Sequence, residues 1–67
     1  MIGTPQDTAE ILLKQNFPIA KYERLQEIRR NRLALWKERD IRPLIEMELK
    51  LIAFGEEVLN IMNRSRQ

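Results

Sequence analysis

Apolar side chains recur at helical spacing along the last third of this 67-residue chain. Steps of alternately three and four residues separate the members of one row, which we call the heptad row: Leu44, Met47, Leu51, Phe54, Val58 and Ile61. This spacing predicts a helix over about residues 41–64 that packs against another helix as in a coiled coil. Beside it lies a second apolar row: Ile45, Ile52 and Leu59. The apolar surface spans roughly 200° of the helix, more than one neighbour buries, so it predicts one contact within the chain and another with a second subunit.

Two further helices are predicted between the prolines in the first part of the chain. Thr4 suits an N-cap and Pro5 suits the first helical position, which predicts a helix over about residues 5–15. The segment Asn16–Pro18 ends that helix, because Asn tolerates the left-handed conformation and Pro restricts the residue before it. The run that follows contains neither Gly nor Pro and predicts a second helix over about residues 19–39.

The start of the third helix depends on two residues between the two long helical segments. Asp40 is its predicted N-cap, and Pro43 then lies in the first turn, where its missing N–H costs nothing. The alternative is one long helix that is kinked at Pro43. Residues 65–67 follow the last apolar position and are expected to fray.

Two residues interrupt the apolar surface of the third helix, and they predict how it meets the second. Glu48 needs a partner if it is buried, and Gly55 favours close helix approach. We consider the two helices as an antiparallel hairpin that turns around Asp40. Because both helices rise equally per residue, the numbers of two residues that face each other then add up to roughly eighty. That register places Arg32 opposite Glu48 as a structural pair, and Leu25 over Gly55. The alternative is that both charged groups reach water along their apolar stems.

These elements predict an all-α fold that forms a single helical domain over residues 1–67. A short N-terminal helix accompanies a long antiparallel helical hairpin, which dimerises into an assembly like a four-helix bundle. The chain has no Cys and no His, which excludes disulfides and Cys/His zinc sites as sources of stability for so small a core. Self-association as a homodimer or higher oligomer, or unusually good helix packing, is what remains, and we expect self-association. Trp36 is either a core residue at the end of the bundle or an interface anchor, and we include it in the predicted interface.

Catalysis and cofactor binding have no residues to support them. Without thiols or imidazoles, the chain lacks the usual nucleophiles, general bases and soft metal ligands, so we expect no enzyme activity, no metal, no cofactor and no small-molecule substrate. The longest apolar run, Leu51–Phe54, is too short to cross a membrane, and the first residues do not form a secretory signal. We therefore expect a cytoplasmic protein.

Positive charge is concentrated in the middle of the chain. Residues 21–42 hold eight basic and four acidic residues, net +4, although the whole chain is only +2. Arg24, Arg30 and Lys37 are the candidate phosphate-contacting residues on the exposed side of the second helix. The alternative is that neighbouring glutamates neutralise them and the surface is an ordinary solvated one. A helix-turn-helix over Thr8–Arg30 is only a weak match, because its second helix does not begin with base-reading side chains.

Two functional hypotheses follow from these patterns. The first is a non-enzymatic, homo-oligomeric helical protein that acts as an interaction, adaptor or assembly module and binds a larger protein partner. The second is a small dimeric nucleic-acid-binding regulator that uses the basic second helix. The two are distinguished by whether the chain binds a nucleic-acid duplex in a salt-dependent way.

Overall fold

A computed structural model describes residues 3–65 of the chain, and within that range it contains three helices and no strand. They are α1 (Pro5–Lys14), α2 (Ile19–Glu38) and α3 (Arg42–Ser65). The all-α prediction is therefore confirmed. Pro43 is the second residue of α3, and the chain turns before it rather than continuing as one kinked helix. Of the tail that is predicted to fray, Ser65 is the last helical residue, and positions 66 and 67 lie outside the described residues.

The first helix begins as its sequence predicts. Thr4 has an extended backbone conformation, and its side-chain oxygen accepts a hydrogen bond of 3.1 Å from the N–H of Asp7. Pro5 occupies the first helical position, where a residue without an N–H loses no helical hydrogen bond. The cap satisfies one of the orphan donors of the helix, and the Asp7 carboxylate also interacts favourably with the helix dipole.

The turn between α1 and α2 is a Schellman motif that is centred on Asn16. Asn16 has a positive φ of 58°, and its N–H donates to the carbonyl of Leu13. The N–H of Phe17 donates to the carbonyl of Leu12, which completes the pair of hydrogen bonds that defines the motif. Pro18 then precedes the first residue of α2. This turn therefore uses Asn16 as the sequence predicts.

The turn between α2 and α3 repeats this motif, and it contradicts the N-cap predicted at Asp40. Asp40 has a positive φ of 54° and donates its N–H to the carbonyl of Lys37, while the N–H of Ile41 donates to the carbonyl of Trp36. The first carbonyl to accept a bond within α3 belongs to Ile41, which bonds to the N–H of Ile45. Asp40 thus closes α2 instead of starting α3, and the predicted N-cap is wrong.

Helix α3 is the centre of the fold, because both other helices pack against it. The buried apolar core consists of Ala9, Tyr22, Val58, Leu59 and Met62. Three of these five belong to the C-terminal half of α3, and Ala9 belongs to α1. The apolar core therefore lies at one end of α3, beneath α1, and the N-terminal half of α3 contributes no fully buried apolar side chain.

Candidate self-association face

The heptad row of α3 is covered along its C-terminal half and open along its N-terminal half. Val58 is fully buried in the core and Phe54 packs against that core, where α1 docks. Leu44 and Leu51 are only half-buried, and the side chain of Met47 between them is 45% exposed. Since the six residues form one continuous row, the apolar surface against which α1 docks continues toward the start of α3, where it is exposed at Met47.

Helix α2 extends this uncovered surface on its own flank. Ile28, Arg32 and Leu35 are exposed and lie three or four residues apart, so they share one side of the helix. The side chain of Arg32 reaches Glu48 of α3, which joins this side of α2 to the open part of the heptad row. We call the combined surface the open face, and its residues are Ile28, Arg32, Leu35, Leu44, Met47 and Leu51.

A polar cluster lies between the two helices beside the open face. The Nε of Arg32 is 2.8 Å from Oε1 of Glu48, and the indole N–H of Trp36 donates to the same oxygen at 3.3 Å. The Glu48 side chain is only 1% exposed, so the two residues predicted as a structural pair are brought together around a buried carboxylate. Among the described residues, Oε2 of Glu48 has no hydrogen-bond partner. A buried oxygen without a partner has a desolvation cost that its neighbour Oε1 does not have.

A second polar arrangement locks α2 onto α3 one turn further along. The side-chain amide of Gln26, which is fully buried, donates to the carbonyl of Ile52 at 3.0 Å. Arg29 donates to Oε1 of Gln26 at 2.6 Å and to the carbonyl of Leu51 at 3.2 Å. A Cβ on Gly55 would lie 2.0 Å from Oε1 of Gln26, so the amide occupies the space that the glycine leaves. The two hydrogen bonds that cross from α2 to α3, with the close approach of Gln26 to Gly55, fix how the two helices face each other.

The sequence did not identify Gln26, and it placed Leu25 over Gly55 instead. The Leu25 prediction is wrong: its side chain is 36% exposed, and the atoms nearest a Gly55 Cβ belong to Gln26 and Arg29. A signal was present in the sequence, because one row of α2 is spaced four, three, four and three: Tyr22, Gln26, Arg29, Leu33 and Trp36. Two of its five members are polar, and such a row faces a helix in spite of that.

The other residues of the predicted interface have mixed positions. Leu59 belongs to the core of the single chain, and Ile61 packs against it. Ile45, Ile52 and Trp36 are half-buried. Only part of the predicted interface is therefore available to a second molecule when the chain has this conformation, and the available part is concentrated in the open face.

The candidate phosphate-contacting residues are exposed, but two of the three already bind carboxylates. Arg24 lies 2.9 Å from Glu27 in the next turn of α2, and Arg30 forms an ion pair with Glu56 of α3. Lys37 is exposed near the end of α2. Exposed ion pairs of this kind contribute little to stability, but they offset the positive charge that would attract phosphate.

The helices that a helix-turn-helix would use do not approach each other closely. Across residues 3–65, both α1 and α2 pack against α3, but no Cα atom of α1 lies within 8 Å of a Cα atom of α2. A helix-turn-helix needs its first helix to support the second against the major groove. The weak match over Thr8–Arg30 therefore lacks the packing that the motif requires.

Among the described residues, an open polar groove of about 470 Å³ is lined by Glu57, Asn60, Asn63 and Arg64, all from the last turns of α3. No group of three or more acidic side chains between residues 3 and 65 is arranged to hold a metal ion. None of the three helices in that range combines the length and the apolar run that crossing a membrane requires.

Comparison of the chain with protein-family models, with curated proteins and with solved structures gives no significant match.

Proposed function

We propose that the chain is a non-enzymatic helical interaction module whose open face binds a second copy of itself. In this proposal α2 and α3 form an antiparallel hairpin, and two hairpins meet to give a dimer like a four-helix bundle. The dimer then serves in assembly or as an adaptor for a larger protein. The observation that carries the proposal is the heptad row, which is buried in the core at Val58 beside α1, whereas Met47 is exposed and Leu44 and Leu51 on either side of it are only half-buried.

The order of the contacts between α2 and α3 supports the hairpin. Gln26 in the first half of α2 bonds to Ile52. Arg32 and Trp36, further along α2, bond to Glu48, which lies nearer the start of α3. Partner numbers on α3 thus fall as residue numbers on α2 rise, as antiparallel helices require.

The size of the surface supports a second copy as the occupant. A compact monomer of this mass exposes about 4,500 Å² by the usual scaling of area with mass, whereas the chain exposes 5009 Å². Its radius of gyration is 13.1 Å, against about 11 Å for a compact chain of this length. An open face that accounted for the whole excess of about 500 Å² per chain would bury about 1,000 Å² per pair, which is the lower limit for a specific interface.

The uneven distribution of the core supports the same conclusion. All the fully buried apolar residues lie at the α1 end of the molecule. In the N-terminal half of α3 the only fully buried side chain is the Glu48 carboxylate, and the apolar residues around it remain half-exposed. A second helical pair on the open face would bury them and give this end of the molecule an apolar core.

A matched pair of substitutions tests the proposal. Met47 and Leu49 are both in α3 and have nearly equal exposure, 45% and 47%, but only Met47 belongs to the open face. We expect Met47→Glu to raise the dissociation constant of the dimer at least about tenfold, because it places a charge in an apolar interface. Leu49→Glu should leave it nearly unchanged. Sedimentation equilibrium measures both, and circular dichroism checks that each variant stays helical.

Two outcomes would overturn the proposal. One is an unsubstituted chain that sediments as a folded monomer at concentrations up to the millimolar range. The other is a dimer that both substitutions weaken equally, because the open face would then not be the surface at which the copies meet.

A further inference from the structure

We infer that the two copies bind in antiparallel orientation, open face to open face, and that α1 of each copy acts as an end stop that excludes the parallel arrangement. This inference rests on the proposed self-association and adds the geometry of the complex. It follows from the position of α1, which lies on the same surface of α3 as the open part of the heptad row.

Helix α1 forms a step on that surface. Its 10 residues extend about 15 Å, whereas the 24 residues of α3 extend about 36 Å at 1.5 Å per residue. Because α1 docks around Val58 and Met62, it covers the C-terminal half of α3 and leaves about 20 Å near the start of α3 uncovered. The step is one helix high, about 10 Å.

The step decides between the two possible twofold arrangements. If the copies were parallel, α1 would meet α1, and two steps would hold the open faces about 20 Å apart, too far for side chains to touch. If the copies are antiparallel, a twofold axis near Met47 brings the open faces together. Each α1 then lies just beyond the α2–α3 turn of the other copy, near residues 39–41, where nothing obstructs it.

The α2–α3 turn and α1, which lie close together in the antiparallel dimer, carry opposite net charges. The exposed residues of the turn region include Lys37, Arg39 and Arg42, and residues 37–42 carry net +1. Helix α1 carries net −1, with Asp7 and Glu10 exposed. The antiparallel arrangement therefore places opposite charges together, whereas the parallel arrangement places α1 against a second α1 of the same charge.

Distances between spin labels on the two copies test the orientation in the full-length chain. The chain has no Cys, so Asn63→Cys and Glu57→Cys each provide one labelling site, and both positions are exposed on α3 outside the open face. With an axis near Met47, the antiparallel dimer separates the two labels along the helix axis by about 48 Å at position 63 and about 30 Å at position 57. In a parallel dimer the two labels of a pair stay at the same height, so neither position has an axial separation and the two distances are similar.

The outcomes separate this inference from the proposal on which it rests. A distance at position 63 that exceeds the distance at position 57 by roughly 15 Å supports the antiparallel dimer. Similar distances at both positions, with dipolar coupling present, overturn the orientation but leave self-association intact. If neither variant shows dipolar coupling at concentrations up to the millimolar range, self-association itself fails.

Discussion

At the scale of single residues, Gly55 shows how one missing side chain determines the register of two helices. The buried amide of Gln26 lies where a Cβ on Gly55 would be, and it bonds to the carbonyl of Ile52 and to Arg29. Sliding α2 by one turn along α3 would place a side chain beneath this amide and break its bond to Ile52 and the bond from Arg29 to the carbonyl of Leu51. A glycine in a helix costs about 1 kcal/mol relative to alanine, and here the close approach of Gln26 offsets that cost.

Substituting Gly55 by alanine tests this account, because helix propensity and packing predict opposite signs. Propensity alone would stabilise Gly55→Ala by about 1 kcal/mol. We expect the variant to be less stable by about 1–2 kcal/mol, because the Cβ displaces the Gln26 amide and leaves buried polar groups without partners. Urea unfolding measures the change.

A second substitution isolates the cause. Adding Gln26→Ala to Gly55→Ala removes the clash, so the double variant should be more stable than the sum of the single effects predicts, by at least about 0.5 kcal/mol. If Gly55→Ala alone stabilises the chain, Gln26 does not hold the position that we describe.

At the scale of the helices, both turns end the preceding helix in the same way, with an Asn in one and an Asp in the other. Asn16 and Asp40 both have a positive φ, and each closes the helix before it with a Schellman pair of hydrogen bonds. The sequence predicts this function for Asn16 but an N-cap for Asp40. Asn and Asp are favourable both at N-caps and in the left-handed conformation, so local preference does not distinguish the two uses. The choice depends on where α2 ends, which tertiary packing decides.

Asp40→Gly distinguishes the two functions of Asp40 by the sign of its effect. Gly adopts a positive φ without the strain of a Cβ, so we expect the free energy of unfolding to rise by about 0.5–1 kcal/mol. If Asp40 were an N-cap, the same substitution would instead lower the free energy of unfolding by only about a few tenths of a kcal/mol. Asp40→Ala is the control and should destabilise the chain, since alanine keeps the strain of the Cβ but lacks the polar side chain that lets Asp adopt a positive φ. Thermal unfolding at one fixed protein concentration compares the three chains, and a less stable Asp40→Gly would contradict the assignment.

At the scale of the whole molecule, the sequence predicts the features that depend on neighbouring residues better than those that depend on contacts between distant segments. The spacing of the heptad row and the positions of the prolines predict three helices, because both signals act within a few residues. The contact between Arg32 and Glu48 could be anticipated because two charged residues stand out against an apolar background. The docking of α1 on the C-terminal half of α3 could not, because Ala9 carries no signal that specifies its partner.

That unpredicted docking changes the interpretation of the heptad row. From the sequence, all six residues appear equally available to a second subunit, whereas Val58 is fully buried within one chain. The open part is short, about 20 Å, so the binding energy that it can provide is limited. In the proposed dimer, the second copy therefore adds to the stability of a chain that already has a small core of its own.

Because the second copy adds to the stability of an already folded chain, the Tm should depend on protein concentration. When a folded chain dimerises, its stability rises with protein concentration by mass action, by up to about 1.4 kcal/mol per chain for a hundredfold increase above the dissociation constant. For a chain of this size that corresponds to a rise in Tm of about 5–10 °C. Calorimetry or circular dichroism over such a range should show this rise for the unsubstituted chain and for Leu49→Glu. In Met47→Glu the rise in Tm over the same range should be smaller, because a higher dissociation constant leaves more of the chain monomeric and a monomer unfolds independently of its concentration. A constant Tm for all three chains would mean that the open face binds no second copy in that range.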